Sequence, residues 1–468
     1  MLRVDRMKQL ATIVQDRWSV KQNSAYDLPT KNYFGGLLKE HYIDGLKQHI
    51  GERVTLNGWV YNTRSSGKIS FLMLRDGTGI VQCILFHPNH TEERIKKFEE
   101  LTQETSVRVE GLIKEDKRSP SGVEINIEDF YILGKSIDYP ISPKEHGVDF
   151  LLSNRHLWLR SKRQMAIMKI RSDTIFYSRE FFNKLNFLCI DAPIFTPAAC
   201  EGTTTLFEVK YFDDKRIYLS QSGQLYMEAA ALAYGKVYCF GPTFRAEKSK
   251  TRRHLTEFWQ IEPEVAFFDI DQDMQLAEDM VYYVLQKLLE NRQEEFSILE
   301  RDTKPIENIK KPFYRLSYID AIELLQKKKF DIKWGDDFGA PDEAAISKEF
   351  DRPVFIHRYP AEIKAFYMKH DKDNNKLALG FDMIAGEGYG ETIGGGQRED
   401  NIDILLKRLE EYKLPQEAFK WYLDLRKYGT VPHAGFGMGI ERFVQWLTKT
   451  QHIREVIPFA RTMERTEP

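Results

Sequence analysis

The sequence has few cysteines, no long hydrophobic run and no common metal motif, and each absence excludes a class of protein. Its 468 residues include four cysteines, none of which stands in a C-x-x-C pair. H-E-x-x-H is absent as well, so the sequence offers no common zinc-binding motif. No apolar stretch approaches the roughly 18 residues of a membrane-spanning helix. Because scattered cysteines are typical of a reducing compartment and MLRVDRMKQL lacks the apolar centre of a secretory signal, we expect a cytoplasmic protein.

The sequence also lacks a strong net charge and a P-loop. Its 68 Lys and Arg residues nearly balance 70 Asp and Glu residues, which argues against a protein that binds nucleic acid over its whole surface. Local basic patches remain, such as RSKRQMAIMKIR at 160–171, although such a stretch taken alone is typical of a solvated helix face. Neither GxxxxGKS nor GxxxxGKT occurs, so a bound nucleotide requires another kind of site.

The residues that are present predict a globular protein of two or three domains. Hydrophobic residues make up 42% of the chain and charged residues 29%, which is typical of a protein with a substantial core. The hydrophobic pattern divides the chain into four segments. They are a polar, partly helical extension at 1–50, a small β-barrel at 51–137, a proline-punctuated linker at 138–160 and an α+β domain at 161–468.

The second segment has the pattern of short strands separated by tight turns. SSGK, DGTG and SPSG mark the turns between stretches rich in Val, Ile and Phe. Such a succession favours an OB-fold, a small barrel that often binds nucleic acid on its strands. Arg64, Phe71 and Gln82 place a charge, a ring and an amide on these strands, as a base-stacking surface requires. The alternative is that Phe71 lies in the core and Arg64 on an ordinary surface.

One short stretch of the last segment, FRAEKSKTRRHLTEFWQIEPE at 244–264, carries many charges beside two aromatic residues. We expect a strand that runs through Glu247, a basic loop and a second strand from Leu255. Because side chains alternate along strands, Arg245 and Glu247 share one face of the first strand. Phe258 on the second strand adds a ring to the same surface. A guanidinium can hold a phosphate or carboxylate, and a ring can stack on a base. The alternative is a salt-bridged surface hairpin.

Two further segments accompany this hairpin. LNFLCIDAPIFTP at 185–197 predicts the end of a helix that passes into a strand with two prolines. GTVPHAGFGMGIERFVQWL at 429–447 predicts a glycine-rich strand that runs into a helix, with Arg442 in the first helical turn. Glycines allow close approach of backbones, and a helix N-terminus favours anions, so this segment predicts an anion site.

Together these segments resemble the three signature motifs of the class II aminoacyl-tRNA synthetases. The similarity is to the aspartyl/asparaginyl group, most closely to its asparaginyl branch, and runs from about Arg53 to Pro468. The stretches that carry it stand in the family's order: GPTFRAEKSKTRRHLTEFW, GETIGGGQR, LDLRKYGTVPH and GFGMGIER. The resemblance implies an α+β fold class, in which an OB-fold anticodon-binding barrel is followed by a catalytic domain built on an antiparallel sheet with flanking helices.

The resemblance also implies an ATP site with Mg²⁺. Arg245 matches the arginine on the α-phosphate and the substrate carboxylate, Phe258 the ring that stacks adenine, and Arg442 the arginine at the γ-phosphate. The implied catalytic residues are Arg245, Arg442 and Glu391. The implied ATP-binding residues are Arg245, Glu247, Arg253, His254, Phe258, Glu391 and Arg442. Asp382 and Glu391 match the acidic pair that handles magnesium.

The remaining positions that match the family concern the amino acid, the anticodon and the dimer. The implied amino-acid-binding residues are Glu201, Gln221, Gln224, Glu262 and Arg398. EGTTTLFEV at 201–209 resembles the loop that closes on the amino acid. Arg64, Phe71 and Gln82 correspond to the anticodon-binding surface, on which the ring and the amide read the central uracil. Pro193 matches the proline at the dimer interface, so the resemblance predicts a homodimer with tRNA-Asn and L-asparagine as substrates.

Two departures from the family pattern leave the charged positions untouched. FARTMERTEP has Ala460 where the family often has proline, and the glycine run 394–396 has a glycine where the family often has a polar residue. The first departure makes local backbone rigidity less certain.

The resemblance leaves alternatives to the asparagine enzyme. They are an aspartate–tRNA ligase, which could also charge tRNA-Asn, an ammonia-using asparagine synthetase and an inactive RNA-binding regulator. Aspartyl enzymes of this kind have a lysine where this chain has Met227. With Glu228 and Glu262 expected nearby, we predict that a buried aspartate carboxylate is repelled. We also predict that Glu262 accepts a hydrogen bond from the carboxamide NH₂ of asparagine.

Overall fold

The computed structural model describes residues 41–468 except 118, 120 and 202–204. The chain divides into two compact units, residues 1–145 and 146–468. Most of the predicted helical extension lies outside the described residues. Its described end forms a 3-10 helix, Ile43–His49. The division between the units falls within the segment 138–160 that was predicted as a linker.

The first unit contains a closed five-stranded barrel with strand order β1-β2-β3-β5-β4. The strands are β1 (Arg53–Ser66), β2 (Ile69–Arg75), β3 (Ile80–Phe86), β4 (Ser106–Glu115) and β5 (Val123–Gly134), with helix α1 (Glu92–Glu99) before β4. Alternate residues such as Leu72, Leu74 and Cys83 are fully buried and fill the barrel. The alternation of side chains along each strand therefore gives the barrel an inner and an outer face. The predicted OB-fold is confirmed.

The second unit begins with three helices, α2 (Val148–Ser153), α3 (Arg155–Trp158) and α4 (Lys162–Lys184). Arg155 is buried and donates to the backbone carbonyls of Glu455, Ile457 and Pro458 at 2.8–2.9 Å. The carboxyl end of the predicted linker is therefore helical and is bound to the last residues of its own unit.

An eight-stranded, mostly antiparallel sheet forms the centre of the second unit, with strand order β12-β13-β14-β15-β16-β11-β10-β6. Its strands are β6 (Leu188–Cys189), β10 (Lys236–Phe244), β11 (Glu257–Ala266), β12 (Tyr314–Ser317), β13 (Val354–His357), β14 (Gly380–Ala385), β15 (Gly390–Gln397) and β16 (His433–Gly439). A smaller sheet consists of β7 (Phe195–Thr196), β9 (Arg216–Leu219) and β8 (Glu208–Lys210). The α+β class with an antiparallel sheet is confirmed.

Helices cover one face of the large sheet. The helices of this unit after α4 are α5 (Gln224–Tyr234), α6 (Ile270–Asn291), α7 (Gln293–Ile298), α8 (Lys304–Glu307), α9 (Tyr318–Lys327), α10 (Ala340–Ser347), α11 (Ile402–Glu411), α12 (Lys420–Lys427) and α13 (Ile440–Thr448). Ile261 and Val265 of β11 share a buried apolar cluster with residues of α4, α6 and α13. The intervening residues of β11 face the opposite side, where the candidate site lies. No helix in the described part of the chain is long and apolar enough to span a bilayer.

One buried carboxylate ties three of these elements together. Glu441, at the start of α13, forms an ion pair of 2.8 Å with Arg171 of α4 and accepts a 3.0 Å hydrogen bond from the backbone NH of Trp259 in β11. Burial raises the pKa of Glu441, although Arg171 and the Trp259 amide oppose that rise. The next residue, Arg442, is thereby held at a fixed place beside the sheet.

Candidate active site

A cavity of about 310 Å³ opens on the sheet face that the alternate residues of β11 form. It gathers every predicted site residue of the second unit except Gln221: Glu201, Gln224, Arg245, Glu247, Arg253, His254, Phe258, Glu262, Asp382, Glu391, Arg398 and Arg442. These residues come from positions almost 250 apart in the sequence, so the fold, rather than local spacing, brings them together.

Arg245 lies in this cavity just beyond β10. The strand predicted to run through Glu247 ends at Phe244, although the backbone NH of Arg245 still donates to Thr256 at 3.0 Å. Its guanidinium carbon lies 5.5 Å from the centre of the Phe258 ring, and Nη2 lies 3.7 Å from Oε1 of Glu201. Burial lowers the pKa of Arg245, but the charges of Glu201, Glu247 and Glu391 outweigh it and raise the pKa. The cation is thus permanent and faces a ring that can stack on a base.

Although β10 ends three residues before Glu247, Glu247 still lines the cavity. Past the strand end, Glu247 no longer alternates with Arg245, and its Oε2 lies 3.5 Å from Nε2 of His254. On β11 the alternation agrees with the sequence: Phe258, Gln260 and Glu262 line the cavity. Trp259 faces the other way and stacks on Phe240 with ring centres 5.2 Å apart. The hairpin therefore lines a cavity rather than forming a salt-bridged surface turn.

At one end of the cavity, two carboxylates face the same space. Nη1 of Arg442 donates to Oε2 of Glu391 at 2.8 Å. A Cβ atom on Gly394 would lie 3.2 Å from Oε1 of Glu391 and 3.3 Å from Oδ1 of Asp382, so both side chains point at this glycine. Burial raises the pKa of Asp382, while Arg442 and Lys364 outweigh burial and lower the pKa of Glu391. Paired oxygen donors of this kind suit a hard divalent cation.

At the other end, Arg398 is held by Glu264. Nε and Nη2 donate to the two carboxylate oxygens at 3.0 and 2.9 Å, and the arginine side chain is only 3% exposed. A Cβ atom on Gly435 would lie 2.2 Å from Oε2 of Glu264, so the glycine of β16 leaves room for this pair. Burial raises the pKa of Glu264 although Arg398 opposes the rise.

Glu262 has partners of its own. It accepts hydrogen bonds from the Ser222 hydroxyl and, at 2.9 Å, from the backbone NH of Gly223. A carboxylate accepts about four hydrogen bonds, so capacity remains for a ligand. Gln221 does not line the cavity. Its Oε1 accepts from the backbone NH groups of Cys200 and Glu201 at 3.1 and 3.0 Å, which fixes the start of the 201–209 loop. Residues 202–204 of that predicted closing loop lie outside the described residues.

In the barrel unit, the predicted surface residues lie on the outer face of three neighbouring strands, β1, β2 and β3. Arg64 and Phe71 are cross-strand partners, with the guanidinium carbon 4.4 Å from the ring centre. Gln82 on β3 faces Met73 of β2 in the strand register. Phe71 is partly exposed, whereas its neighbour Leu72 is fully buried, so the alternative of a core phenylalanine is wrong.

Comparison with known proteins adds to this geometry. The family described as tRNA synthetases class II (D, K and N) matches residues 147–463, which is more than half of the chain. The family described as OB-fold nucleic acid binding domain matches residues 54–133.

The chain belongs to the class II tRNA synthetases.

Similar proteins share most of the length of this synthetase. An asparagine–tRNA ligase of Desulforamulus reducens is 56% identical over 426 residues, which cover 91% of this chain and 99% of the relative. That of Pelotomaculum thermopropionicum is 54% identical with the same coverage. The crystal structure of asparaginyl-tRNA synthetase from Pyrococcus horikoshii complexed with asparaginyl-adenylate superposes with a TM-score of 0.90 at 44% identity, covering 92% of this chain and all of the other. An Entamoeba histolytica aspartyl-tRNA synthetase gives 0.78 at 25%, covering 94% and 95% of the two chains.

Lys364 and Glu343 are two of the charged cavity residues that the sequence analysis missed. Nζ of Lys364 lies 2.8 Å from Oδ2 of Asp382 and 3.8 Å from the ring centre of Tyr359. Oε2 of Glu343 lies 3.2 Å from Nη1 of Arg253. Burial, together with the charge of Glu391, raises the pKa of Glu343 to about 7. Neither residue stands in a recognisable motif, and only their cavity-facing positions reveal them.

Glu228 is placed differently from the prediction. It is completely buried outside the cavity lining and accepts from Arg426 at 2.6 Å, Tyr422 at 2.7 Å, Gln224 at 3.0 Å and a ring nitrogen of His433 at 3.1 Å. Burial alone would raise its pKa, but Arg426 and His433 hold the pKa below the usual range. Because these partners compensate its charge, repulsion by Glu228 is not the reason for rejecting aspartate.

Proposed function

We propose that the chain is an asparagine–tRNA ligase, which joins asparagine to tRNA-Asn through an asparaginyl-adenylate. The observation that carries the proposal is the single cavity in which Arg245, Phe258 and Arg442 meet the Arg398–Glu264 pair. The close similarity to asparagine–tRNA ligases over most of the chain supports the same function.

The first half-reaction follows from charges that are already in place. The asparagine carboxylate attacks the α-phosphorus of ATP, the bond to the β-phosphate oxygen breaks, and pyrophosphate leaves. The nucleophile is already ionised, so no general base is needed, and positioning with charge neutralisation does the catalysis. Arg245 serves the α-phosphate, Phe258 stacks on adenine, and Arg442 lies at the γ-phosphate. The terminal ribose hydroxyl of the tRNA then takes the asparaginyl group, and AMP leaves.

The cavity's charge favours a bound Mg²⁺. Among the described lining residues, nine carboxyl groups stand against five arginines and lysines, so anionic groups are in excess even with Glu343, whose pKa is raised to about 7, partly protonated. ATP is itself strongly anionic, so a site of this charge favours the nucleotide as its magnesium complex. Asp382 and Glu391 supply oxygen donors on either side of Gly394, which fits a hard cation. When bound, Mg²⁺ neutralises the charge of phosphate oxygens. The protein holds the carboxylates of Asp382 and Glu391, together with Arg442, in fixed positions.

The amino-acid end of the cavity favours asparagine over aspartate. Met227 lines it without charge, and each lining arginine or lysine already has a carboxylate partner: Arg245 with Glu201, Arg253 with Glu343, Lys364 with Asp382, Arg398 with Glu264 and Arg442 with Glu391. An aspartate side chain would add a negative charge where the charge of each cation is already balanced by a carboxylate, whereas a neutral carboxamide adds no charge. Such a mismatch costs several kcal/mol, so roughly hundredfold discrimination is expected. The carboxamide donates to Glu262 and accepts from Arg398.

The barrel supplies tRNA recognition. Phe71 presents a partly exposed ring under the Arg64 guanidinium, and Gln82 presents an amide on the neighbouring strand. A stacked ring contributes about 1–3 kcal/mol per base, and the amide adds hydrogen bonds to a base edge. We assign these three residues to the anticodon.

We also infer a homodimer in which the 188–195 segment lies at the interface. Leu188, on the edge strand β6 of the large sheet, is 47% exposed, and Ile194 and Phe195, which follow Pro193 in the sequence, are 42 and 53% exposed. Several large exposed apolar side chains in one short segment favour an interaction site there. Sedimentation of the purified chain measures this directly, and a monomer at every concentration would contradict it. The cytoplasmic location expected from the sequence stays a prediction.

Pyrophosphate exchange tests the proposal. ATP–pyrophosphate exchange is measured with asparagine and with aspartate, followed by charging of tRNA-Asn and tRNA-Asp transcripts. We expect exchange with asparagine alone and charging of tRNA-Asn alone. Comparable exchange with both amino acids would favour the aspartate–tRNA ligase, and release of free asparagine from aspartate and ammonia would favour the synthetase alternative. No exchange with either would favour the inactive RNA-binding regulator.

A further inference from the structure

Three potential metal ligands lie close together just before the first strand of the barrel unit, outside the motifs described above. His41, His49 and Glu52 each offer one ligand atom, and these atoms all lie within 4.8 Å of one another. The two imidazole rings meet edge to face with centres 4.7 Å apart, and Nδ1 of His49 lies 3.1 Å from Oε2 of Glu52. In the described part of the chain, no other group of three histidine, cysteine or acidic side chains meets this criterion.

The backbone that carries these ligands is fixed. Ile43 and Leu46 of the intervening 3-10 helix are buried in the barrel core, and the backbone NH of Ile43 donates to Asp76 at 2.9 Å. The backbone NH of Glu52 donates to His49 at 3.0 Å, and its carbonyl accepts from Ile113 at the same distance. His49 and Glu52 are therefore held together by the chain itself, and His41 stands two residues before a buried anchor.

The ligand types and spacing suit zinc. Neutral imidazoles and a carboxylate bind Zn²⁺ at about 2.0–2.2 Å, so neighbouring ligand atoms in a tetrahedral site lie about 3.3–3.5 Å apart. The nitrogen of His49 and the oxygen of Glu52 already stand close to that distance, and side-chain rotation of His41 brings the third ligand in. All three side chains remain partly exposed, so water can take the fourth position.

A surface ion pair between His49 and Glu52 accounts for two of these residues without a metal. It does not account for His41, which turns its ring onto His49 although the 3-10 helix separates them. We propose that His41, His49 and Glu52 bind a Zn²⁺ ion, with water as the fourth ligand. The ion links His41, which lies two residues before the 3-10 helix, to Glu52, the residue that precedes β1, and it is separate from the cations used with ATP.

Zinc stoichiometry of the full chain tests this site. The protein is treated with chelator, given a slight excess of Zn²⁺ in the presence of millimolar Mg²⁺, dialysed and analysed for metal by mass spectrometry. The same measurement is made on His41→Gln, His49→Gln and Glu52→Gln, with His156→Gln as the matched control, since His156 is an exposed histidine on α3 of the other unit. In a second series Co²⁺ replaces Zn²⁺, because the visible absorption of Co²⁺ reports tetrahedral nitrogen and oxygen ligation.

The zinc content of each variant is compared with that of the wild type, because active-site carboxylates can also hold some Zn²⁺. We expect each of the three variants to retain one zinc fewer per chain than the wild type and to lose the Co²⁺ absorption, while His156→Gln matches the wild type. Asparagine-dependent pyrophosphate exchange should be unchanged in all four, and a circular dichroism spectrum of each variant shows that the barrel unit is folded as well. Equal zinc content in wild type and His49→Gln, or no bound zinc in the wild type, would overturn the proposal.

Discussion

Arg245 is the residue on which the chemistry depends most directly. Its guanidinium is buried among carboxylates that keep it charged, and it faces the ring of Phe258. We expect Arg245→Ala to lower asparagine-dependent pyrophosphate exchange by two to three orders of magnitude, because one preorganised charge contact in a transition state is worth about 3–4 kcal/mol. The measurement is kcat/KM for exchange, together with a circular dichroism spectrum to show that the variant is folded.

Arg216 provides the matched control for this substitution. It is an arginine of the same unit, but its side chain is 78% exposed and lies 3.9 Å from Glu208. Arg216→Ala should leave the exchange rate nearly unchanged, since exposed ion pairs contribute little. If Arg245→Ala retained a near-normal rate, Arg245 would have no part in the activation step.

Met227 is the residue that we predict to select asparagine, through the charge that it lacks. It is 1% exposed, lines the cavity and packs with Ala231, Val237 and Cys239. Met227→Lys should raise the ratio of aspartate to asparagine exchange by at least about tenfold, because an ammonium there would meet the aspartate carboxylate.

Met227→Leu separates the effect of charge from that of shape. Leucine keeps an apolar side chain of similar volume, so the preference for asparagine should persist even if both rates fall. An equal change of the ratio in the lysine and leucine variants would show that Met227 only packs the cavity wall.

At the residue scale, the sequence predicted which residues line the cavity better than it predicted which side chains pair with one another. Arg245, Phe258, Glu391 and Arg442 stand in motifs, so their presence in one cavity could be expected. The bidentate pair between Arg398 and Glu264 joins positions 134 apart, and three of the four partners of Glu228 lie in another helix and a strand. Such pairings depend on the register of distant strands, which local spacing does not specify.

At the element scale, the strand pattern of β11 was predictable and the end of β10 was not. Alternation of side chains gave the cavity face of β11 from Phe258 to Glu262. The basic loop after Phe244 offers no proline or glycine that would mark where the strand stops. The strand ends there because the backbone of Arg245 pairs only with Thr256 before the loop turns away.

Helix α3 contributes to stability through one buried side chain. Arg155 is 2% exposed and donates to three backbone carbonyls between Glu455 and Pro458, which precede Ala460. This clamp, together with the bridge between Glu257 and Arg461, holds the segment in which proline is replaced by alanine. Arg155→Ala should destabilise the second unit by about 3 kcal/mol, because several charge-assisted hydrogen bonds to buried carbonyls are lost.

Urea inactivation measures this loss in the second unit alone, because pyrophosphate exchange depends on that unit. Arg163→Ala is the control, since its side chain is 45% exposed and pairs with Glu455 at 3.5 Å. It should cost less than about 1 kcal/mol. Equal midpoints for the Arg155 and Arg163 variants would show that the clamp does not stabilise this segment.

At the scale of the whole molecule, length and composition predicted two or three domains, and the motifs predicted which part of the chain does the chemistry. Near-zero net charge argued only against a protein that is basic throughout. The structure then shows where charge is concentrated, in a cavity with an excess of carboxylates in the second unit. The barrel unit carries none of the residues that line this cavity. Binding of the anticodon and activation of the amino acid should therefore be separable by substitution.

Gln82 tests that separation. It lies on the outer face of β3, opposite Met73 and in register with Glu124 of β5, so its loss leaves the barrel core intact. Gln82→Ala should lower kcat/KM for charging tRNA-Asn by about tenfold to a hundredfold, the value of one or two hydrogen bonds to a base edge. Exchange of pyrophosphate with asparagine should be unchanged, since that reaction needs no tRNA.

Glu128→Ala is the control. Glu128 lies on an exposed part of β5 and pairs with Arg53, and its substitution should affect neither assay. Equal losses of charging and exchange in Gln82→Ala would contradict the assignment, because a residue that reads the anticodon acts only on the reaction that includes the tRNA.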